Sequence, residues 1–178
     1  MVKTMAELLG RLDQYRQRVP LDELCAALAE TEVDLDEIRA FVHFNRDTYR
    51  RNLMHAGPGY QALILCWRSG QRSPIHDHRG SSCGVRVLRG VATETLFERN
   101  EQGLVYATLS RDHPEGSVCG SQDTDIHQMS NLQPPGQDLI TLHIYSPPLL
   151  KMGTYSLTSP MVGEFADPVF AFADGAGI

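Results

Sequence analysis

Two histidines around an aspartate, His76-Asp77-His78, are the residues of this sequence best suited to bind a metal ion. If they lie on a β-strand, alternation points the imidazoles of His76 and His78 to one face and the carboxylate of Asp77 to the other. Two imidazoles on the inner wall of a barrel would form a ready pair of metal ligands. Taken alone, the His-x-His spacing favours exposed histidines in a polar loop.

A wider pattern surrounds this pair. From Gly70 to Gly90 the spacing is G-x5-H-x-H-x4-C-x6-G, and residues 127–131 read His-x3-Asn with Gly116 upstream. Both patterns resemble the two motifs of the cupin superfamily, small β-barrels that hold one metal, and they occur in the same order. The resemblance implies that His127 is the third ligand. Two departures stand out, because Cys83 occupies the usual glutamate position and the second motif lacks its usual proline and glycine.

Three imidazoles differ chemically from two imidazoles and a carboxylate. Fe²⁺ held by three neutral imidazoles keeps its full positive charge, so an anionic ligand must come from the substrate. A thiolate suits this role, because metal binding deprotonates a thiol. Zinc also accepts three histidines and a water, so the ligand set alone leaves the metal open.

Four segments resemble one particular branch of the cupin superfamily. IHDHRGSSC, LHIYSPP, YRRNL and LILCW are similar to the cysteine dioxygenase family (type I, bacterial form), the thiol dioxygenase branch of the cupins. The similarity runs from about Tyr49 to Tyr155, and a helical N-terminal segment also fits. It implies an Fe(II) enzyme with His76, His78 and His127 as ligands. Such an enzyme binds L-cysteine through its thiolate and amine and uses O2 to form cysteine sulfinic acid.

The resemblance also implies roles for residues around the iron. Arg51 stands where the family holds the substrate carboxylate, and a guanidinium binds a carboxylate bidentately. Tyr49 would face the same pocket if the segment is extended, whereas Arg50 is expected to be a solvated surface charge. Trp67 matches a family aromatic near the pocket, although packing explains it equally well. Met152 stands where animal enzymes carry cysteine and follows the bacterial pattern.

Thr141, His143 and Tyr145 share one face of a predicted strand. In the family this row forms a hydrogen-bond relay beside the iron, in which Thr141 orients His143 and His143 bonds the tyrosine hydroxyl. An ordinary strand with a packed aromatic is the alternative. The resemblance further implies a cis Ser146–Pro147 peptide, although a trans bond is commoner for X-Pro in general.

Cys83 matches a second feature of the family. In some members this cysteine forms a thioether with the tyrosine that corresponds to Tyr145, and both partners are present here. We expect this crosslink, and we expect the enzyme to work without it at lower efficiency. The alternative is a small buried residue, since free cysteine is commonly buried.

Composition limits the remaining function classes. The chain has 178 residues, 42% of them hydrophobic and 21% charged, which suits one compact domain. A net charge of −6 without a basic stripe argues against nucleic-acid binding. The N-terminus lacks the apolar core of a signal peptide, and no segment is long enough to cross a bilayer, so we expect a cytoplasmic protein without membrane contacts. An acidic single-domain cupin of this kind is expected to be a monomer.

The remaining cysteines and histidines show no ligand spacing. No CxxC pair occurs, so a reducing compartment would keep the thiols free. We expect Cys25, Cys66 and Cys119 to pack in the interior. We expect the histidines at positions 43, 55 and 113 to be surface or loop residues.

The elements that position these residues change type along the chain. Residues 4–47 predict three short amphipathic helices, over Met5–Tyr15, after Pro20 and after Asp34. Later segments rich in Val, Ile, Leu, Thr and Tyr alternate with turn residues and predict strands. The predicted strands are Gln61–Trp67, Gly84–Leu88, Val91–Glu98, Leu104–Ser110, Ile126–Asn131 and Leu139–Tyr145. We therefore predict a mainly β, jelly-roll-like antiparallel cupin barrel over about residues 60–165, with an N-terminal α-helical cap over residues 1–47, as a single domain of residues 1–178.

Three alternatives to L-cysteine oxidation stay open. A dioxygenase for 3-mercaptopropionate would look alike at the histidines and the relay, but those relatives carry glutamine in place of Arg51 and usually lack Cys83. A non-catalytic metal-binding cupin would need neither residue nor the relay. A zinc-dependent cupin isomerase or hydrolase would differ in its metal content.

Overall fold

The computed structural model describes residues 4–166 and 168–171. Two α-helices come first, α1 (Met5–Leu12) and α2 (Leu21–Ala29), followed by a 3-10 helical turn, Arg39–Phe41. Twelve strands follow among the described residues. They are β1 (Arg50–Ala56), β2 (Gln61–Trp67), β3 (Ile75–His76), β4 (Ser82–Arg89), β5 (Val91–Arg99), β6 (Val105–Pro114), β7 (Val118–Gln122), β8 (Ile126–Ser130), β9 (Leu139–Ser146), β10 (Met152–Tyr155), β11 (Gly163–Phe165) and β12 (Val169–Ala171).

The strands form two six-stranded sheets. One has the order β12-β1-β2-β9-β4-β7 and the other β11-β10-β3-β8-β5-β6. The pairings are antiparallel except for β1 with β12, which is parallel. The predicted mainly β architecture with an N-terminal helical cap is therefore confirmed.

Two apolar clusters follow from the alternation of side chains along the first sheet. On β2, Leu63, Leu65 and Trp67 point between the sheets, while Ala62 and Ile64 point to the outer face and pack against the helices. Because successive residues point to opposite faces, a strand buried on both sides reads as a continuous apolar run. The QALILCW segment is such a strand, and it joins the two clusters.

The helices begin where local chemistry sets them. Thr4 caps α1 in a capping box with Glu7, whose backbone N–H lies 3.2 Å from the threonine hydroxyl. Pro20 precedes α2, as predicted, and supplies the fixed φ that suits a helix start. None of the described helices is long and apolar enough to cross a membrane.

Two glycines let α2 lie directly on the first sheet. A Cβ at Gly84 of β4 would lie 2.6 Å from Leu28 Cδ1 and 2.8 Å from Leu24 Cγ. A Cβ at Gly120 of β7 would lie 2.6 Å from Cys25 Sγ. The helix therefore approaches the sheet more closely than any side chain at these positions would allow.

We expect Gly84→Ala to destabilise the fold by about 1–3 kcal/mol, because the added methyl group overpacks the helix–sheet contact. Gly10→Ala is the matched control. A Cβ at Gly10 meets nothing within 4 Å, and alanine is the better helix former by about 1 kcal/mol. Urea unfolding of the two variants should give free energies of unfolding that change in opposite directions. Equal stability of the Gly84 variant and the parent would contradict the close approach.

Several predicted boundaries were wrong. The third predicted helix is absent from residues 34–42, which form successive turns that end in the 3-10 turn. There Asp34 accepts a hydrogen bond from the backbone N–H of Asp36 at 2.9 Å, and such a side-chain bond competes with helix formation. The first helix ends at Leu12 rather than Tyr15. The sheet begins at Arg50, before the predicted start near residue 60.

Candidate metal centre

The three candidate ligands lie on or next to the paired strands β3 and β8 of the second sheet, and their side chains meet between the two sheets. His76 of β3 lies directly opposite His127 of β8, and His78 follows two residues after His76. The centroids of the three rings are 4.7–5.2 Å apart. One ligand nitrogen from each ring lies within 4.8 Å of the other two. All three side chains are buried, so the cluster lies in the protein interior.

Hydrogen bonds turn two of these rings toward the centre. The Nδ1 atom of His76 lies 3.0 Å from the carbonyl oxygen of Pro74, and the Nδ1 atom of His127 lies 2.8 Å from Glu94 Oε1. In each ring Nε2 is left to face the cluster. Both ring nitrogens of His78 are buried without a hydrogen-bond partner among the described residues. A buried imidazole without a partner is costly, and a metal ion at the centre would satisfy it.

Burial also keeps the ligands in the protonation state that binds a metal. It lowers the pKa of His76 to about 3, with a smaller contribution from His127. Burial likewise lowers the pKa of His78 far below its ordinary value. These two rings are neutral at physiological pH and present lone pairs rather than charges.

A small pocket opens on the cluster. Its lining comprises Tyr49, Arg51, Leu65, Trp67, Ser73, His76, His78, Cys83, His127, Met129, His143, Tyr145 and Met152. None of these residues is acidic. The side chains predicted to surround the metal, with the exception of Thr141, therefore line one pocket, Trp67 and Met152 included.

Arg51 brings a positive charge into this pocket. Its side chain is 2% exposed, and its guanidinium carbon lies 5.3 Å from the centroid of the Tyr145 ring. Tyr49 stacks on Trp67 with ring centroids 4.2 Å apart, so it faces the same pocket as expected. Arg50 points to the other face of β1, where its guanidinium covers the ring of Phe170 at 4.2 Å. The two neighbouring arginines thus occupy different environments.

A chain of hydrogen bonds runs along one face of β9. The Trp67 indole N–H donates to Thr141 Oγ1 at 3.0 Å. Thr141 Oγ1 lies 3.0 Å from His143 Nε2, and His143 Nδ1 lies 3.1 Å from the Tyr145 hydroxyl. Burial, followed by the charge of Arg51, lowers the pKa of His143 far below its ordinary value. The predicted row therefore shares one face and ends at the tyrosine in the pocket.

Cys83 lies directly opposite Tyr145 on the neighbouring strands β4 and β9. Side chains that oppose each other across an antiparallel pair have Cβ atoms about 4.5–5.5 Å apart. Burial raises the pKa of the Cys83 thiol far above its ordinary value, although the hydrogen bond with Tyr145 lowers it. The thiol is therefore protonated and in contact with the tyrosine. The Ser146–Pro147 peptide that follows is cis.

The side chain of Asp77 points away from the three-histidine cluster, as the alternation of side chains along a strand predicts. Its Oδ1 atom accepts the backbone N–H of Gly153 at 2.8 Å, and its Oδ2 atom accepts the Tyr155 hydroxyl at 2.6 Å. The aspartate therefore ties the His-x-His segment to β10. Its role is to hold the two histidines in place.

Two residues of the site escaped sequence reasoning. Glu94 holds the His127 ring, and His113 lies 3.1 Å from the other oxygen of that carboxylate. The expectation that His113 is a surface or loop residue was wrong, because it lies on β6 with its side chain only 12% exposed. A signal for Glu94 was present, since a carboxylate between the apolar Ala92 and Leu96 on an inward-facing period needs a partner.

The other predicted side chains lie apart from the pocket. Cys66 is buried against Asn52, and Cys25 and Cys119 are partly buried. His43 and His55 are partly exposed. All four cysteines are free thiols.

Comparison with known proteins gives a consistent result. The family model described as cysteine dioxygenase type I matches residues 1–158. Cysteine dioxygenase type 1 of Homo sapiens is 31% identical over 154 residues, which cover 82% of this chain and 76% of the relative. The corresponding enzyme of Danio rerio is 28% identical over 160 residues, covering 86% of this chain and 79% of the relative.

Two solved structures of other proteins share part of this fold. A Klebsiella pneumoniae protein with a double-stranded beta-helix domain superposes with a TM-score of 0.52 at 16% identity, over 65% of this chain and 84% of that protein. A Bacillus halodurans protein superposes with a TM-score of 0.50 at 16% identity, over 66% and 80% of the two chains. These likenesses support the fold and carry no information on the reaction.

Proposed function

Because this chain belongs to the cysteine dioxygenase type I family, we propose that it oxidises L-cysteine to cysteine sulfinic acid with O2 at an Fe(II) ion held by His76, His78 and His127. The single observation that carries the proposal is the buried three-histidine cluster, in which the His78 nitrogens have no hydrogen-bond partner among the described residues. Fe(II) bound there would supply the electron transfer and the open positions at which a thiol and O2 meet. The residues around it prepare the substrate.

The pocket selects for a negatively charged small thiol. Three neutral imidazoles contribute no anion, so the substrate thiolate supplies the negative charge that the ion requires. Arg51 is buried in a lining without acidic residues, and its guanidinium suits a bidentate contact with the cysteine carboxylate. Tyr49, stacked on Trp67, forms the adjoining wall.

The hydrogen-bond chain on β9 begins at Trp67. The indole N–H can only donate, so Thr141 Oγ1 accepts it, and we propose that the threonine hydroxyl gives its own proton to His143 Nε2. The neutral imidazole then carries its single proton on Nδ1 and donates it to the Tyr145 oxygen. The tyrosine keeps its hydroxyl proton for the pocket, where it stabilises negative charge on the substrate sulfur or oxygen.

The proposal includes a thioether between Cys83 and Tyr145. Its formation would join Sγ to a ring carbon beside the hydroxyl, with loss of the S–H and C–H hydrogens as two protons and two electrons to O2. The cross-strand position of the pair supports it. The crosslink would fix the tyrosine ring and leave the relay intact, so the uncrosslinked enzyme keeps a lower activity.

We also propose that the chain works as a cytoplasmic monomer and a single domain. Free thiols at all four cysteines suit a reducing compartment. The net charge of −6 argues against a nucleic-acid partner. Core clusters on both faces of the first sheet join helices and strands, which supports one domain.

Oxygen uptake tests the substrate assignment. Protein loaded anaerobically with iron is given L-cysteine, 3-mercaptopropionate or cysteamine, and the uptake of O2 is recorded. We expect the highest kcat/KM with L-cysteine, because it carries both the thiolate and the carboxylate that the pocket is built to hold. A preference for 3-mercaptopropionate would assign the sister activity. No uptake with any thiol by protein that retains iron would exclude both.

A Glu94 variant tests whether this carboxylate supports the metal ligand His127. We expect Glu94→Gln to weaken iron binding by about 10-fold or more, because residues that orient a ligating histidine typically contribute 10–100-fold to metal affinity. Iron retained against graded chelator concentrations measures this effect. Glu98→Gln is the matched control, since Glu98 lies on the same strand and bonds only the Tyr106 hydroxyl among the described partners. Equal iron retention in the two variants would remove Glu94 from the centre.

A further inference from the structure

A second cluster of metal-binding side chains lies behind His127. Glu94 of β5, His113 of β6 and Cys119 of β7 each offer one donor atom, and these atoms lie within 4.8 Å of one another. Neither the iron chemistry nor the substrate pocket uses His113 or Cys119. We propose that this cluster is a second, regulatory cation site that takes a thiophilic divalent ion of the zinc class.

The donors match such an ion in type and charge. Imidazole, thiolate and carboxylate are the ligands that Zn²⁺ accepts in proteins, and three of them with one open position make a tetrahedral site. The carboxylate of Glu94 and the thiolate of Cys119 together neutralise the two positive charges, so the occupied site carries no net charge. Binding releases the Cys119 proton to solvent. The three-histidine cluster supplies no such anion, so the two sites differ in preference.

Distances in the cluster already approach those of a coordinated ion. Glu94 Oε2 lies 3.1 Å from His113 Nε2. Ligands about 2.0–2.2 Å from a tetrahedral zinc lie roughly 3.3–3.5 Å from each other, so this pair needs little movement. Cys119 is partly buried on the facing strand and closes the third side.

Solvent reaches the cluster from outside the substrate pocket. A wide depression lined by Glu94, His113, Cys119, Thr124 and Asp125 opens on it. The depression gives an ion an entry path and leaves the fourth coordination position to water. A cation can therefore enter without passing the iron.

The shared carboxylate couples the two sites. Glu94 Oε1 holds the His127 ring at 2.8 Å, while Oε2 faces the second cluster. A cation on Oε2 withdraws negative charge from the bond that supports His127. We therefore expect occupation of the second site to speed iron loss by about 10-fold, within the range that such supporting residues contribute. This coupling rests on iron binding at the three histidines, whereas the second site itself does not.

Co²⁺ added to the iron-loaded protein under anaerobic conditions tests the site. We expect one Co²⁺ per chain with a thiolate-to-metal charge-transfer absorption. Cys119→Ser should abolish this absorption, and His113→Gln should weaken Co²⁺ binding at least 10-fold. Cys66→Ser is the control, because that thiol is buried on the opposite face of the first sheet. Thermal unfolding of each variant establishes that it is folded.

Two outcomes would overturn the site. Absence of a thiolate absorption in the folded parent would show that the cluster binds no such ion. An absorption that persists in Cys119→Ser but disappears in Cys83→Ser would place the ion at the three histidines. The coupling is tested by iron release to a chelator with and without Zn²⁺. An unchanged release rate at full occupancy of the second site would overturn the regulatory role, whatever the result of the activity assay.

Discussion

Replacement of His127 by alanine should give a folded protein that retains neither iron nor oxygenase activity. His127 lies opposite His76 on the paired strands and completes the three-nitrogen cluster. Two imidazoles without an anionic ligand bind Fe²⁺ weakly, so we expect iron affinity to fall by more than about 100-fold, beyond the loss from a supporting residue. Iron per chain after gel filtration and oxygen uptake with L-cysteine measure the two effects.

His55→Ala is the matched control for this experiment. His55 lies on β1 with its side chain 37% exposed, 3.6 Å from Asp13 and away from the pocket. It should retain the iron content and rate of the parent. Parental iron content in the His127 variant would remove this histidine from the ligand set. Far-ultraviolet circular dichroism separates loss of metal from loss of fold.

Arg51→Gln should reduce kcat/KM for L-cysteine far more than for cysteamine, which has no carboxylate. Removing one partner of a buried charge pair costs about 2–5 kcal/mol. The lower value corresponds to roughly a 30-fold loss, since about 1.4 kcal/mol equals one factor of ten. Glutamine retains a hydrogen-bond donor but neither the charge nor the second parallel N–H bond. Steady-state rates with both thiols give the ratio.

Arg50→Gln controls for the loss of a positive charge on the same strand. Its guanidinium covers Phe170 on the far face, so the ratio of the two thiols should stay at the parental value. Equal losses on L-cysteine and cysteamine in the Arg51 variant would mean that Arg51 does not hold the carboxylate. Iron content must be matched between variants before the rates are compared.

Strands with a regular pattern of side chains could be predicted from the sequence. The continuous apolar run Gln61–Trp67 is a central strand, and the alternation of Thr141, His143 and Tyr145 places them on one face. The His-x-His pair needed the second motif to indicate a site, because its own spacing says nothing about His127. The register of β3 with β8 brings these parts together.

Two strands whose sequences lack a regular hydrophobic pattern could not be predicted. Val118–Gln122 reads VCGSQ and forms a strand because β4 pairs with it, while its glycine makes room for a helix. Arg50–Ala56 carries two arginines and an asparagine and is held between β2 and β12. In both segments the partner strands determine the conformation, so the local pattern is uninformative.

The cluster of Glu94, His113 and Cys119 behind His127 could not be predicted from the sequence either. Glu94, His113 and Cys119 lie on three strands and share no motif. Their contact depends on the register of β5 with β6 and on how the two sheets face each other. His113 therefore looked like a loop residue next to Pro114, although it is an inward-facing strand residue.

The central claim is that the three histidines hold an iron ion that places both atoms of O2 on the sulfur of L-cysteine. Iron-loaded protein mixed anaerobically with L-cysteine and then exposed to ¹⁸O2 gives the direct test, with mass analysis of the product. We predict cysteine sulfinic acid that carries two labelled oxygen atoms. Product with one label or none, or cystine alone while iron stays bound, would contradict the claim.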